Sequence, residues 1–373
     1  MLCAMRRDNR GRGENTRAVH LPPDAFAQGI ASLEGFRLSE PVEGEAFASG
    51  MAAVTAVLLA FTGAGAHVVA PAAVSAGTRG LLAGPLARFG VETTFADMAD
   101  PAAVRAAIRP RTRLVWAEAL GGPGLAVADL PLLAGIAREA GALLAVDSTR
   151  ATPVVCRPLE HGADLVVHAD ASSIGGCGEA AGGAVVGAAH LVAEVRLAGA
   201  ATGSALAPAE ASALRRGLET LPLRVRRQCD TASMFAASLA RHPAVRAVHY
   251  PGLPGHPGHA LARELFDAGP EGTRFGASVT VVPHGGREAG LAFAEALRLA
   301  AAVTGPGGPV PSGTRTRAEH AASAAGDAVR FSIGLEDADD LVRDVTEALG
   351  AEGGGVPAPA PPAGPDPLVA DTG

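Results

Sequence analysis

The sequence predicts an α/β fold: a large domain built on a mostly parallel sheet with helices on both faces, followed by a smaller C-terminal α+β domain. Two observations carry this. Between 67 and 186, short apolar runs of strand length alternate with helical stretches of about ten residues, the pattern of strands buried on both faces and joined by crossover helices. After a helical connection at 208–239 that alternation stops and a different pattern begins. At 373 residues the chain is long enough for two or three such units.

In chain order, residues 1–30 read as a flexible N-terminal segment, because the first 20 are arginine-rich and polar. The large domain is expected over 31–240. Inside it, Ser49 stands before an apolar helix that runs to about Phe61 and caps its first turn. Strands follow at 67–70, 91–95, 113–118, 143–146, 165–168 and 183–186, with helices at 76–89, 101–108 and 130–140. The small domain is expected over 241–350, with elements at 245–251, 257–266, 277–282, 287–300, 328–334 and 337–349. Residues 351–373 are rich in Pro, Gly and Ala and read as a disordered tail. In parallel sheets of this kind, ligands sit at the carboxyl ends of the strands.

Composition narrows the function. A formal net charge of −7, with no arginine run interleaved with aromatics, argues against a nucleic-acid partner. Apolar stretches are interrupted well short of a membrane span, and the first residues lack the apolar core of a signal peptide, so a cytoplasmic protein with no membrane partner is expected. Cys3, Cys156, Cys177 and Cys229 show neither Cys-x-x-Cys nor Cys/His spacing, so the expectation is four reduced thiols and no metal.

Four stretches share one resemblance. They are AFASGMAA at 46–53, AVDST at 145–149, HADASSIGGC at 168–177 and the linker-like HPAVRAVHYPGLPGHPGHALA at 242–262. Together, over roughly 31–350, the chain resembles the Cys/Met-metabolism (trans-sulfuration) branch of pyridoxal-phosphate (PLP) enzymes, such as cystathionine γ-synthase, cystathionine γ-lyase and methionine γ-lyase. The resemblance implies PLP fold type I, the aspartate-aminotransferase-like architecture. In that family the third stretch reads roughly His-Ser-Ala-Thr-Lys-Tyr-Ile-Gly-Gly-His, and its lysine carries PLP as an internal aldimine. Here Ser172 holds that position. No other residue can replace it, because Lys and Arg together number 31 and all 31 are arginine.

The resemblance also assigns a cofactor set. Ser49, Gly50 and Met51 match the turn whose backbone amides hold the PLP phosphate, in keeping with the anion affinity of a helix N-terminus. Asp147 matches the aspartate paired with the pyridine nitrogen, which keeps the ring an electron sink; read alone, it is an aspartate capping the next turn. Thr149 belongs to the same set. Ser75 stands where the family has a tyrosine stacked on the ring, and Gly122 where an asparagine touches the phenolic oxygen. Ala169 and Ala171 replace hydroxyl residues that hold phosphate and lysine. Ser148 and Arg150 also depart from the pattern, and the family's phosphate-clamping arm has no counterpart between His20 and Ala31.

Arg330 matches the arginine that forks a substrate α-carboxylate. The plainer reading is a strand arginine paired with a carboxylate such as Asp327. His168, Asp170 and Cys177 admit a new thiol chemistry, against the plainer reading of a strand-end histidine and an inert loop cysteine. Tyr250 belongs to the linker motif and reads as structural.

The functional expectation is a degenerate member of the family: a pseudoenzyme in a structural, regulatory or ligand-binding role, with no catalytic residue retained and PLP non-covalent at best. The alternative is a PLP-binding carbon–sulfur lyase or γ-replacement transferase acting on sulfur amino acids. Expected partners are a second copy of the chain, as dimer or tetramer, or a lysine-bearing paralogue in a hetero-oligomer. A third reading places a small anionic metabolite or amino acid between Arg330 and the helix end at Ser49 to Met51.

Overall fold

The structure, a computed structural model, describes residues 23–176, 180–269, 272–303, 313–321 and 327–351. Its first element is helix α1 (Pro23–Glu34), so residues 23–30 are helical rather than part of a flexible segment. Phe26 and Ile30 on α1 are fully buried, and this apolar stripe is what holds the helix to the sheet. Cys3, Cys177 and the segments 1–22 and 352–373 lie outside the described residues.

A seven-stranded sheet comprises β1 (Glu43–Phe47), β2 (His67–Pro71), β3 (Glu92–Ala96), β4 (Thr112–Glu118), β5 (Leu143–Asp147), β6 (Leu165–His168) and β7 (Gly183–Gly187). Their spatial order is β1-β7-β6-β5-β4-β2-β3. From β6 to β3 every pairing is parallel, and β7 and β1 add antiparallel strands at one edge. The sheet is therefore mostly parallel, as expected. The central strands are buried on both faces, which is why they read as unbroken apolar runs rather than as alternation. The short edge strand β1, with its first residue exposed, carries no such signal.

Helix α2 (Gly50–Phe61) lies on the same face as the helix Ala189–Ala201, while α1, Leu130–Glu139 and Pro208–Leu218 cover the other. The stretch expected as one helix at 76–89 begins as α3 (Ala76–Leu81) and then widens into a π turn at Leu82–Leu86. Pro85 explains the change, since it has no N–H to give and its ring crowds the preceding turn. Trp116, at the centre of β4, is wholly buried.

A second sheet of five strands has its own core around Phe235, Phe293 and Phe331. It contains β8 (Val245–His249), β9 (Ser278–Pro283), β10 (Ala301–Val303), β11 (Arg317–Ala321) and β12 (Ala328–Ser332), in the order β8-β9-β12-β11-β10. Tyr250 follows β8 and is buried; its hydroxyl donates to the Gly276 carbonyl at 3.2 Å, a packing role. No helix of the described residues is long and apolar enough to cross a membrane.

Candidate functional site

The floor of the site is made by two strand ends. β4 and β5 run parallel in register, so Glu118 and Asp147, their last residues, stand side by side. Asp147 Oδ1 accepts from the Thr149 amide at 3.0 Å and also from the Thr149 hydroxyl. That hydroxyl in turn accepts from the Ala169 amide at 2.7 Å, so Thr149 ties the floor to the turn after β6.

Glu118 Oε1 accepts from the Ser75 amide at 2.8 Å. Its Oε2 is buried without a hydrogen-bond partner among the described residues, and Arg150 Nη1 lies 3.7 Å from it. Burial raises the Glu118 carboxyl above its ordinary range; Arg150 opposes that, and Asp147 adds to it. Arg150 is further held by the Leu120 carbonyl at 3.1 Å. A cation has thus entered a cleft floor where the resembling family has an aromatic or aliphatic side chain.

The N-terminus of α2 closes one end. Ser49 is extended and accepts from the Ala52 amide at 3.1 Å. The helix's first amides have no intrahelical acceptor, and this is the positive end of its dipole. Gly50 meets the turn after β6 so closely that a Cβ there would lie 1.5 Å from the Ala169 carbonyl oxygen. Ser75 precedes α3, where its hydroxyl bonds Thr78 at 2.9 Å; no aromatic face covers the cleft from this position.

Met51, Ser75, Asp147, Thr149 and Ala169 line one cleft together with Glu118 and Arg150. Ser49 and Gly50 lie at its end. Ala171 is buried behind the turn, its amide bonded to the Gly182 carbonyl at 2.9 Å. The motif at 168–177 contains a short helix, Ala171–Gly175, and Ser172 lies in it. Arg224 clamps its end, donating to the Ser173 and Ile174 carbonyls at 2.9 and 2.5 Å. Guanidinium donors satisfy these orphan carbonyls and so stabilise a helix too short to persist alone.

Arg330 lies in an adjoining cavity that shares Thr149 and Arg150 with the cleft. Its partner is Glu319, directly across from it on β11. Asp327 pairs with Arg246 instead, at 2.5 Å. The expected Asp327 contact is therefore corrected: Asp327 precedes β12, and the cross-strand neighbour wins. Burial and Arg150 push the Arg330 guanidinium down to about 9, Glu118 opposes them, and the contact with Glu319 works in the same direction as Glu118. It is charged at neutral pH. Sequence reasoning does not single out Glu319; the opposite charges in RAEHA and AVRFS become a pair only through strand register.

Cys156 and Cys229 are buried free thiols. Burial pushes Cys156 far up, and Cys229 up to about 12, so neither is a thiolate nucleophile. Among the described residues, no group of three or more His, Cys, Asp or Glu is placed to hold a metal ion.

The pattern of the Cys/Met metabolism PLP-dependent enzymes matches residues 7–350. The chain is 38% identical over 339 residues to the L-methionine gamma-lyase of Pseudomonas putida, covering 86% of this chain and 81% of that protein. It is 36% identical over 349 residues to the cystathionine gamma-synthase of Mycobacterium bovis, covering 91% and 87%. The crystal structure of metB from Corynebacterium glutamicum superposes with a TM-score of 0.79 at 33% identity, covering 87% of this chain and 84% of that one. The architecture is that of PLP fold type I.

Set against PLP itself, the residues divide. The amides at the start of α2 suit a phosphate, and Asp147 suits a protonated pyridine nitrogen. A covalent link does not fit, because no side-chain amine exists anywhere in the sequence, and Arg150, 3.7 Å from Glu118, puts a cation where the resembling family has an aromatic or aliphatic side chain.

Proposed function

The chain belongs to the Cys/Met metabolism PLP-dependent enzymes, and within that family we propose that it is a pseudoenzyme, a fold type I scaffold in a structural, regulatory or ligand-binding role. The observation that carries this is Ser172 at the lysine position in a chain without lysine. Catalysis in this class uses the lysine amine first as Schiff-base partner and then as proton carrier; a serine hydroxyl does neither. Three further features support the reading: Ser75 supplies no ring, Gly122 supplies no side chain, and Arg150 occupies the floor of the cleft.

PLP, where it binds, is held non-covalently between the first amides of α2 and Asp147. The chain assembles with a second copy of itself or with a lysine-bearing paralogue, and contributes shape rather than an amine to the assembly. The second reading, a carbon–sulfur lyase or γ-replacement transferase on sulfur amino acids, is favoured by the 36–38% identity to relatives named as such enzymes and by the retained Asp147.

The test is the visible spectrum of the purified chain titrated with PLP, before and after dialysis and borohydride, alongside assays on L-methionine and cystathionine. The expected result is no borohydride-fixed band and no turnover. Turnover by the isolated chain would overturn the pseudoenzyme reading.

A further inference from the structure

Arg330 and Glu319 face each other across β12 and β11, guanidinium on carboxylate, with 13% and 12% of their side chains exposed. Both wall the cavity next to the cleft. A guanidinium at a cavity wall is a natural fork for a carboxylate. Here the chain supplies the carboxylate itself.

The other arginine of that cavity is answered internally as well, by Glu118 and the Leu120 carbonyl. The remaining polar lining includes the hydroxyls of Thr152, Ser173, Ser278 and Ser332, and it also includes the acid Asp170. Hydroxyl groups suit uncharged hydrogen-bonding ligands.

We propose that Glu319 is a specificity-determining residue: by occupying Arg330 it bars carboxylates, so that the cavity admits uncharged polar groups such as hydroxyls and amides in place of an amino-acid carboxylate. An entering carboxylate has to displace Glu319, which would then be left nearly buried without its cation. A tethered partner also competes at an effective concentration of about millimolar or more, and Glu319 is further pre-positioned by the strand pairing. This rests on the ligand-binding part of the reading above and not on the absent amine, so the PLP spectrum and the titration below fail independently.

The experiment is calorimetric titration of the full chain with L-methionine and with L-methioninol, in which an alcohol replaces the carboxylate. Glu319→Gln is expected to bind L-methionine at least about tenfold more tightly than the wild-type chain, with L-methioninol changed by less than about twofold. Adding Arg330→Met to Glu319→Gln is expected to abolish the gain. Because Glu319→Gln leaves Arg330 without its counter-ion, Glu319→Asp is the companion variant; it keeps the charge but withdraws it by one methylene, and a smaller gain confined to L-methionine is expected. Overturning results are an equal gain for both probes, a gain that survives Arg330→Met, or no gain for L-methionine in a folded Glu319 variant.

Discussion

His168 Nε2 and Glu34 Oε1 lie 2.8 Å apart, with neither side chain exposed to solvent. The pair ties α1 to the strand that leads into Ser172. Glu34 Oε2 and His168 Nδ1 have no hydrogen-bond partner among the described residues, so the contact is half satisfied and sensitive to its proton count.

Burial raises the Glu34 carboxyl above its ordinary value of 4.5, with the His168 contact working against it. The folded chain therefore keeps a proton that the unfolded chain releases above about that pH. Stability falls as pH rises from there toward the folded-state pKa, by at most about 1.4 kcal/mol per pH unit. Glu34→Gln is expected to flatten the fall in urea unfolding free energy measured from pH 4.5 upward. An unchanged slope would show that the proton resides elsewhere.

Gly50→Ala puts a methyl 1.5 Å from the Ala169 carbonyl oxygen, a backbone atom that cannot step aside. The expected cost is about 3 kcal/mol. Gly63→Ala, where nothing lies within 4 Å of the new carbon, is expected to change stability by less than about 0.5 kcal/mol. Denaturant unfolding of both variants separates a local clash from a general effect of losing glycine.

Arg157 is 1% exposed and donates to Glu160 Oε1 at 2.6 Å, to Asp267 Oδ1 at 2.8 Å and to the Pro153 carbonyl at 3.0 Å. Arg157→Met strands two carboxylates and is expected to cost about 3–5 kcal/mol. Arg37 joins the same acids but is 58% exposed, and Arg37→Met is expected to cost at most about 1 kcal/mol. Comparable losses would mean that burial does not set the strength of this network.

Ser172→Lys restores an amine on the helix that follows β6. With added PLP, the variant is expected to show a visible aldimine band that survives dialysis and that borohydride converts into a covalently retained near-ultraviolet band, both absent from the wild-type chain. A folded variant without that band would mean that the ion pair of Glu118 and Arg150 closes the cleft to the cofactor.

Much of the large sheet was legible because its central strands are buried on both faces, and the expected strand at 165–168 coincides with Leu165–His168. The capped start of α2 was equally legible, since a serine before an apolar helix acts locally. The edge strand β1 and the helix Ala189–Ala201 were not, because one is half exposed and the other has a weakly amphipathic, alanine-rich pattern. At the site, motif register places Asp147, Thr149 and Ala169, whereas only the pairing of β4 with β5 brings Glu118 beside Asp147 as a buried carboxylate.

What the sequence by itself determined is that no lysine is available for an internal aldimine, because that link depends on residue type and not on conformation. It also determined the family and its fold, through motifs spread over most of the chain. Only the tertiary structure decided which carboxylate answers which cation. Arg330 meets Glu319 rather than Asp327, and Arg150 meets Glu118, because such contacts depend on strand register and on which side chains share a buried volume.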